Sequence, residues 1–301
     1  MSHRKHIVWA IDAFAEKSLQ IKGIKILKLV SEAFGLEVEP VYVLSSGQVQ
    51  VQSELYPKWS LDYEKASENL LDDLIRLANL SKVSKPTVLI ESTGSLRGAT
   101  EELVKFSQNK HAKFIFVNSH ANEGLPRFFL GSFTETLLLQ SKIPVIVTNP
   151  TTEMRGKISH ILFPTDFYND ARKGFEDAVQ LAVKLQAKLT LYHKEITPLY
   201  LTFPEAPFYS IYIEDIHKQI KKNAADWLAW AKNQGAKCEL VMDNSVENGV
   251  LGKHLIAYGE KNNVDLICLI TKSSALGAAL LGSTARYVTR HAHCPVWVEH
   301  A

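Results

Sequence analysis

The chain has 301 residues, of which 46% are hydrophobic and 22% charged, a balance that suits an ordinary soluble globular protein with one large core or two medium ones. Lys+Arg number 34 against 32 for Asp+Glu, and no basic run marks an electrostatic footprint, so nucleic-acid binding is disfavoured. The opening Met1–His6 leads into an apolar run that soon meets Asp12, too short for a signal-peptide core or a membrane span, and the odd count of cysteines (Cys238, Cys268, Cys294) without a C-x-x-C pair suits a reducing compartment. These features predict a cytoplasmic protein with no membrane partner and with its cysteines used as small buried hydrophobes.

Short apolar or β-branched runs bounded by polar residues predict strands near 6–12, 36–44, 87–93, 113–119 and 145–149. Helices fit 17–34, 61–80, 97–110 and 132–142, and Leu70, Leu71, Leu74, Leu77 and Ala78 carry the helical apolar spacing. Asn149–Gly156 holds proline, glycine and polar residues without apolar periodicity, as a linker does, and divides the chain into domains 1–150 and 151–301. The second half repeats the pattern, with strands near 158–166, 188–195, 238–244, 265–271 and 295–299 and helices near 170–186, 214–234, 249–262 and 283–291, Gly235 serving as a helix stop. The segment 196–212, with Pro198, Pro204 and Pro207 among five aromatic residues, is predicted not to form a regular helix. It reads either as a pocket lid or as a seal over apolar surface.

The halves share their punctuation in order. Asp12 and Asp166 stand 154 residues apart, Gly131-Ser132 and Gly282-Ser283 stand 151 apart, and the prolines of Ile143-Pro144-Val145-Ile146-Val147 and Cys294-Pro295-Val296-Trp297-Val298 are again 151 apart. Strands alternating with helices predict parallel sheets wrapped by crossover helices, an α/β architecture.

The run Asn118–Ser132, followed by Ile143–Val147, resembles the C-terminal signature of universal stress proteins. Thr271–Ser283 followed by the second Pro-Val strand is its counterpart, and Val8–Asp12 and Leu162–Asp166 are similar to the family's opening strand, so the resemblance covers both halves. It implies two tandem doubly wound domains, each a five-stranded parallel sheet of order 3-2-1-4-5 flanked by helices, related by a pseudo-two-fold. It also implies that the last strands of the two domains pair with each other. The family's ligand is an adenine nucleotide at the carboxyl ends of the first and fourth strands, where open α/β sheets bind ligands on general grounds.

In the family motif Gly-x2-Gly-x9-Gly-Ser/Thr, residues without bulk let backbone amides approach phosphates at a helix N-terminus. Here Gly131-Ser132 and Gly282-Ser283 keep the last element, whereas Asn118 and Ala121 replace the first two glycines of the first half. In the second half Thr271 and Ser274 stand in their place, and Thr271 to Gly282 spans 11 positions where Asn118 to Gly131 spans 13, so that loop reads as two residues shorter. The implied binding set is Asp12, Val43, Asn118, Ala121, Arg127, Gly131, Ser132 and Phe133 in the first half, with Asp166, Thr271, Ser274, Gly282 and Ser283 in the second. Each has a plainer reading: the aspartates as turn or cap residues, the serines as helix N-caps, Arg127 as a solvated side chain.

No nucleophile elbow, P-loop or metal-ligand spacing occurs, and His291-Ala292-His293-Cys294 offers too little geometry for a tetrahedral site, so neither a catalytic set nor a metal is predicted. The expected function is a stress-associated protein that binds or senses ATP, with magnesium, through a degenerate motif, chiefly in the first half. The alternatives are a nucleotide-free tandem scaffold for an unknown protein partner and, with the weakest support, a slow ATPase.

Overall fold

The computed structural model describes residues 5–11, 17–45, 63–119, 132–153, 156–195, 207–245, 250–271 and 281–301. The first half runs β1 (His6–Ala10), α1 (Lys17–Phe34), β2 (Glu37–Ser45), α2 (Tyr63–Ala78), β3 (Thr87–Glu91), α3 (Leu96–Asn109), β4 (Ala112–Asn118), α4 (Ser132–Gln140) and β5 (Val145–Thr148). The second runs β6 (His160–Pro164), a 3-10 turn at Asn169–Ala171, α5 (Arg172–Leu185), β7 (Lys188–Lys194), α6 (Pro207–Asn233), β8 (Lys237–Asp243), α7 (Leu251–Lys261), β9 (Leu266–Thr271), α8 (Ser283–His291) and β10 (Val296–His300).

Within each half the strands pair in parallel in the order 3-2-1-4-5. β5 and β10 then lie antiparallel, Val145 opposite Val298, Ile146 opposite Trp297 and Val147 opposite Val296, which joins the halves into one sheet of ten strands, β3-β2-β1-β4-β5-β10-β9-β6-β7-β8. The strands are apolar on both faces because helices cover both. Ile7, Trp9, Phe114, Phe116 and Ile146 join one core with α1, α2, α5 and α6, while Val8, Ala10, Ile115, Val117 and Val145 join the other with α3, α4, α7 and α8. The three cysteines are buried thiols, and burial pushes Cys238 up to about 12.

Two local expectations are corrected. Helix α6 begins at Pro207, seven residues before the predicted start, so the last part of 196–212 is helical. Proline is compatible with the first helical position, where its missing N–H would find no intrahelical acceptor; residues 196–206 lie outside the described ones. On α2, Leu71, Leu74 and Ala78 are buried but Leu77 is 44% exposed, so the apolar stripe is narrower than its spacing suggested. Gly235 does end α6: it lies at φ +86°, and the Ala236 N–H reaches back to the Ala231 carbonyl at 3.1 Å, the Schellman closure of a helix.

Candidate functional site

Parallel strands deliver their following loops to one edge of the sheet, and in each half strand order reverses between the first and fourth strands, opening a crevice there. In the first half β1 and β4 flank this point, paired with Trp9 opposite Phe116 and Ala10 opposite Val117. The helix after β4 must run back over the sheet to reach the parallel β5, so the N-terminus of α4, at Ser132, lies on the crevice side. Of the expected first-half residues, Val43, Asn118, Ser132 and Phe133 are described; Asp12, Ala121, Arg127 and Gly131 lie outside the described residues.

Asn118 closes β4, and its carboxamide is turned into the body of the half. Its Oδ1 accepts a hydrogen bond from the Thr148 hydroxyl on β5. On the other side it fills the space over Gly23 of α1, where a Cβ would stand 2.0 Å from Oδ1. Asn118 thus serves packing, with its bulk directed at α1 and β5. Val43 is half-buried on β2 beside Leu89 of β3, a neutral apolar pair.

The second half has the same backbone register and different chemistry. Matching Ile7 to Ile161 and following the strand pairs outward makes Lys194 the counterpart of Val43 and Asp243 the counterpart of Leu89. Lys194 has its side chain only 9% exposed and sits 3.3 Å from Asp243 Oδ1; its ammonium also donates to Ser245. Asp243 further accepts from the Tyr192 hydroxyl and from the Ser245 N–H at 2.9 Å. Burial alone would raise the Asp243 carboxyl, but the Tyr192, Ser245 and Lys194 hydrogen bonds outweigh it and hold it well below the usual carboxylate range.

Aromatic rings occupy the other side of this corner. Phe167, fully buried in left-handed backbone at φ 61°, meets Trp227 edge-on at 5.5 Å and His193 at 5.8 Å. By sequence the residue following Asp12 is Ala13, whose side chain is only a methyl group. Asp166, which was expected to touch ligand, accepts from the Tyr168 N–H at 3.2 Å within the turn.

The register also corrects the alignment of the loops. Ile115 faces Val145 as Ile267 faces Val296, so Asn118 corresponds to Ile270 and Ser119 to Thr271. The second loop is therefore one residue shorter than the first, not two. Thr271 leaves the candidate site: it is buried, and its hydroxyl donates to His300 Nδ1 at 2.8 Å. Ser283 is the first helical residue of α8, and the N-cap is Gly282, so Ser283 is not the cap it was read as. Gly282 has φ −55° and nothing within 4 Å of where a Cβ would point, so neither strain nor crowding requires glycine there. Ser274 lies outside the described residues.

Polar clusters also form at the opposite, amino-terminal edge, where periodicity gave no signal. His6 Nδ1 lies 2.9 Å from Glu39 Oε1, and the buried Glu39 is held on its other oxygen by Lys110 at 3.1 Å and Ser84 at 2.8 Å. With Glu37 these are the group among the described residues whose donor atoms approach metal spacing, but Lys110 already neutralises the buried carboxylate. In the second half His160 bridges the Asn262 carbonyl at 3.0 Å and Thr190 at 2.8 Å. His291 and His293 take separate backbone carbonyls, those of Tyr287 and Val264, in keeping with structural use.

The fold and its paired switch points define a tandem doubly wound α/β protein. The universal stress protein family model matches residues 3–149 and again 157–300, and the chain belongs to that family, with two copies of its domain. A universal stress protein of Methanocaldococcus jannaschii is 27% identical over 140 residues, 46% of this chain and 79% of that one. The fold is shared with a universal stress protein from Archaeoglobus fulgidus, TM-score 0.65 at 20% identity over 98% of this chain and 96% of that one. A functionally unknown protein from Pseudomonas aeruginosa shares it too, TM-score 0.66 at 15% identity over 99% of this chain and 93% of that one. No helix among the described residues is long and apolar enough to cross a membrane.

Proposed function

We propose that the chain is a stress-associated adenine-nucleotide sensor that binds one ATP, with magnesium, in its first half, through Asp12, Val43, Ala121, Arg127, Gly131, Ser132 and Phe133 and through the backbone, not the carboxamide, of Asn118. The observation that carries this reading is the contrast at one register position: the neutral Val43–Leu89 pair in the first half against the Lys194–Asp243 ion pair in the second. A flat, uncharged base stacks on an apolar shelf without displacing anything, whereas at the second corner it would meet an ion pair that is already satisfied. The helix start at Ser132 supplies amide donors and a positive dipole end for phosphate oxygens. Asn118 supports the reading as well, since its carboxamide is directed at Thr148 and Gly23. Within this proposal the second half, comprising residues 151–301, is a nucleotide-free domain paired with the first through β5 and β10, and Asp166, Ser274, Gly282 and Ser283 take no ligand.

Isothermal titration of the nucleotide-stripped full chain with ATP and magnesium tests this. One equivalent of ATP is expected per chain, with the heat abolished by Gly131→Val with Ser132→Ala and retained in Gly282→Val with Ser283→Ala. Two equivalents, or loss of heat in the second-half variant, would refute the one-site assignment. Absence of heat from folded wild-type protein would leave the nucleotide-free scaffold as the function.

A further inference from the structure

The β5–β10 contact lies on a pseudo-two-fold, so a strand position on its axis meets its own counterpart, 151 residues away, while the flanking positions cross over. The residues on the axis are therefore the ones that a pairing of two first halves, or of two second halves, would set against themselves. Two such positions are unlike in this chain. Ile146 faces Trp297 in the strands, and Glu135 of α4 faces its counterpart Arg286 of α8 at 2.8 Å. A second arginine, Arg290, donates to the other Glu135 oxygen at 3.2 Å, and its counterpart in the first half is Leu139. All three ionic side chains are partly withdrawn from water, with Glu135 25% exposed, Arg290 26% and Arg286 43%.

The surrounding contacts keep the symmetry that these positions break. Asn149 donates to the Thr289 carbonyl at 3.1 Å, and the counterpart residue His300 donates to the counterpart carbonyl of Leu138 at 2.6 Å, so each half ties down the last turn of the other's helix. The frame would thus serve any pair of halves, and the axial side chains select among them.

We infer that the α4–β5 edge of the first half is a recognition surface for the α8–β10 edge of the second half and excludes a second copy of itself. Two first halves would set Glu135 against Glu135 and leave the space of an indole between two Ile146 side chains. Two second halves would gather four arginines and crowd two indoles at one point. Like charges at close range and mismatched core volumes both oppose such pairing, so the discrimination is built from repulsion as well as attraction. Trp297 adds to the preferred arrangement by meeting Phe114 of the first half edge-on, with centroids 5.1 Å apart. This inference is independent of whether any nucleotide binds.

The test is thermal unfolding of four full-length chains at low and high salt: wild type, Glu135→Arg, Arg286→Glu with Arg290→Glu, and all three reversals together. The first and second variants are expected to lower Tm by roughly 2–4 °C at low salt and by less at high salt, and the triple variant to return it to the wild-type value. If Glu135→Arg does not fold, Glu135→Gln combined with the two arginine reversals tests the repulsive part alone and should be more stable than the arginine reversals by themselves, the difference shrinking at high salt. Equal Tm for all four chains, or a triple variant no more stable than the worse of its parents, would overturn the inference.

Discussion

The two carboxyl-end corners share one backbone and differ in side chains. Val43 and Leu89 leave the first corner uncharged, while Lys194, Asp243, Ser245 and Tyr192 form a closed polar network in the second, backed by Phe167, His193 and Trp227. If the first corner is the site, as proposed, the second shows how a duplicated corner can be turned to structural use. Strand register is what makes the comparison strict, because it identifies counterparts through hydrogen-bonded pairs, without reliance on sequence likeness.

The largest effect is expected from giving the second corner the first half's residue at Phe167. Phe167→Ala removes a fully buried ring between Trp227 and His193 and should destabilise the chain by about 3–5 kcal/mol, measured by urea unfolding. A loss well under one kcal/mol would mean that this corner is as open as the first is proposed to be. Next comes Asp243→Leu alone, which leaves the Lys194 ammonium mostly buried without its carboxylate; about 1–3 kcal/mol should be lost, and Lys194→Val added to it should restore most of that. Without such coupling, the pair would not be the closed network described.

The pH dependence of the same pair is smaller. The Asp243 carboxyl is held below its unfolded value of about 3.9, so the folded state binds fewer protons and the stabilisation is complete above that value. It is lost as pH falls through the folded value. Between pH 5 and 2 the Lys194→Val/Asp243→Leu chain should therefore lose less stability than wild type, and equal acid slopes would contradict the assignment. The smallest expected effect lies in the first half: Asn118→Ala should cost about 1 kcal/mol by leaving the Thr148 hydroxyl without its acceptor, while ATP heat is retained. Loss of the heat in folded Asn118→Ala would make the carboxamide a ligand contact after all.

Much of the fold was legible in the chain itself. Alternation of apolar runs with helical periodicity is a local property, and it located every described strand and helix, with the largest boundary error at Pro207, where a residue that breaks helices opens one. The repeat of Asp12, Gly131-Ser132 and the Pro-Val strands marked two like halves, and the family resemblance implied a switch point in each. The candidate site was less legible. Spacing suggested that Thr271 matched Asn118, but cross-strand register matches it to Ser119, because a loop can drop one residue without disturbing the strands on either side. Nothing in the periodicity of β7 or β8 distinguishes a lysine in solvent from Lys194 under Asp243, since the two residues lie 49 apart in sequence and meet only through strand pairing.

The sequence by itself determined the repeat and the alternation of strands and helices, because these follow from composition and short-range order. The tertiary structure alone decided that Asn118 turns toward Gly23, that Lys194 meets Asp243, and that Glu135 meets Arg286. Each of these joins residues remote in the chain, and only the packing of helices against paired strands sets which remote groups come within a few ångströms of one another.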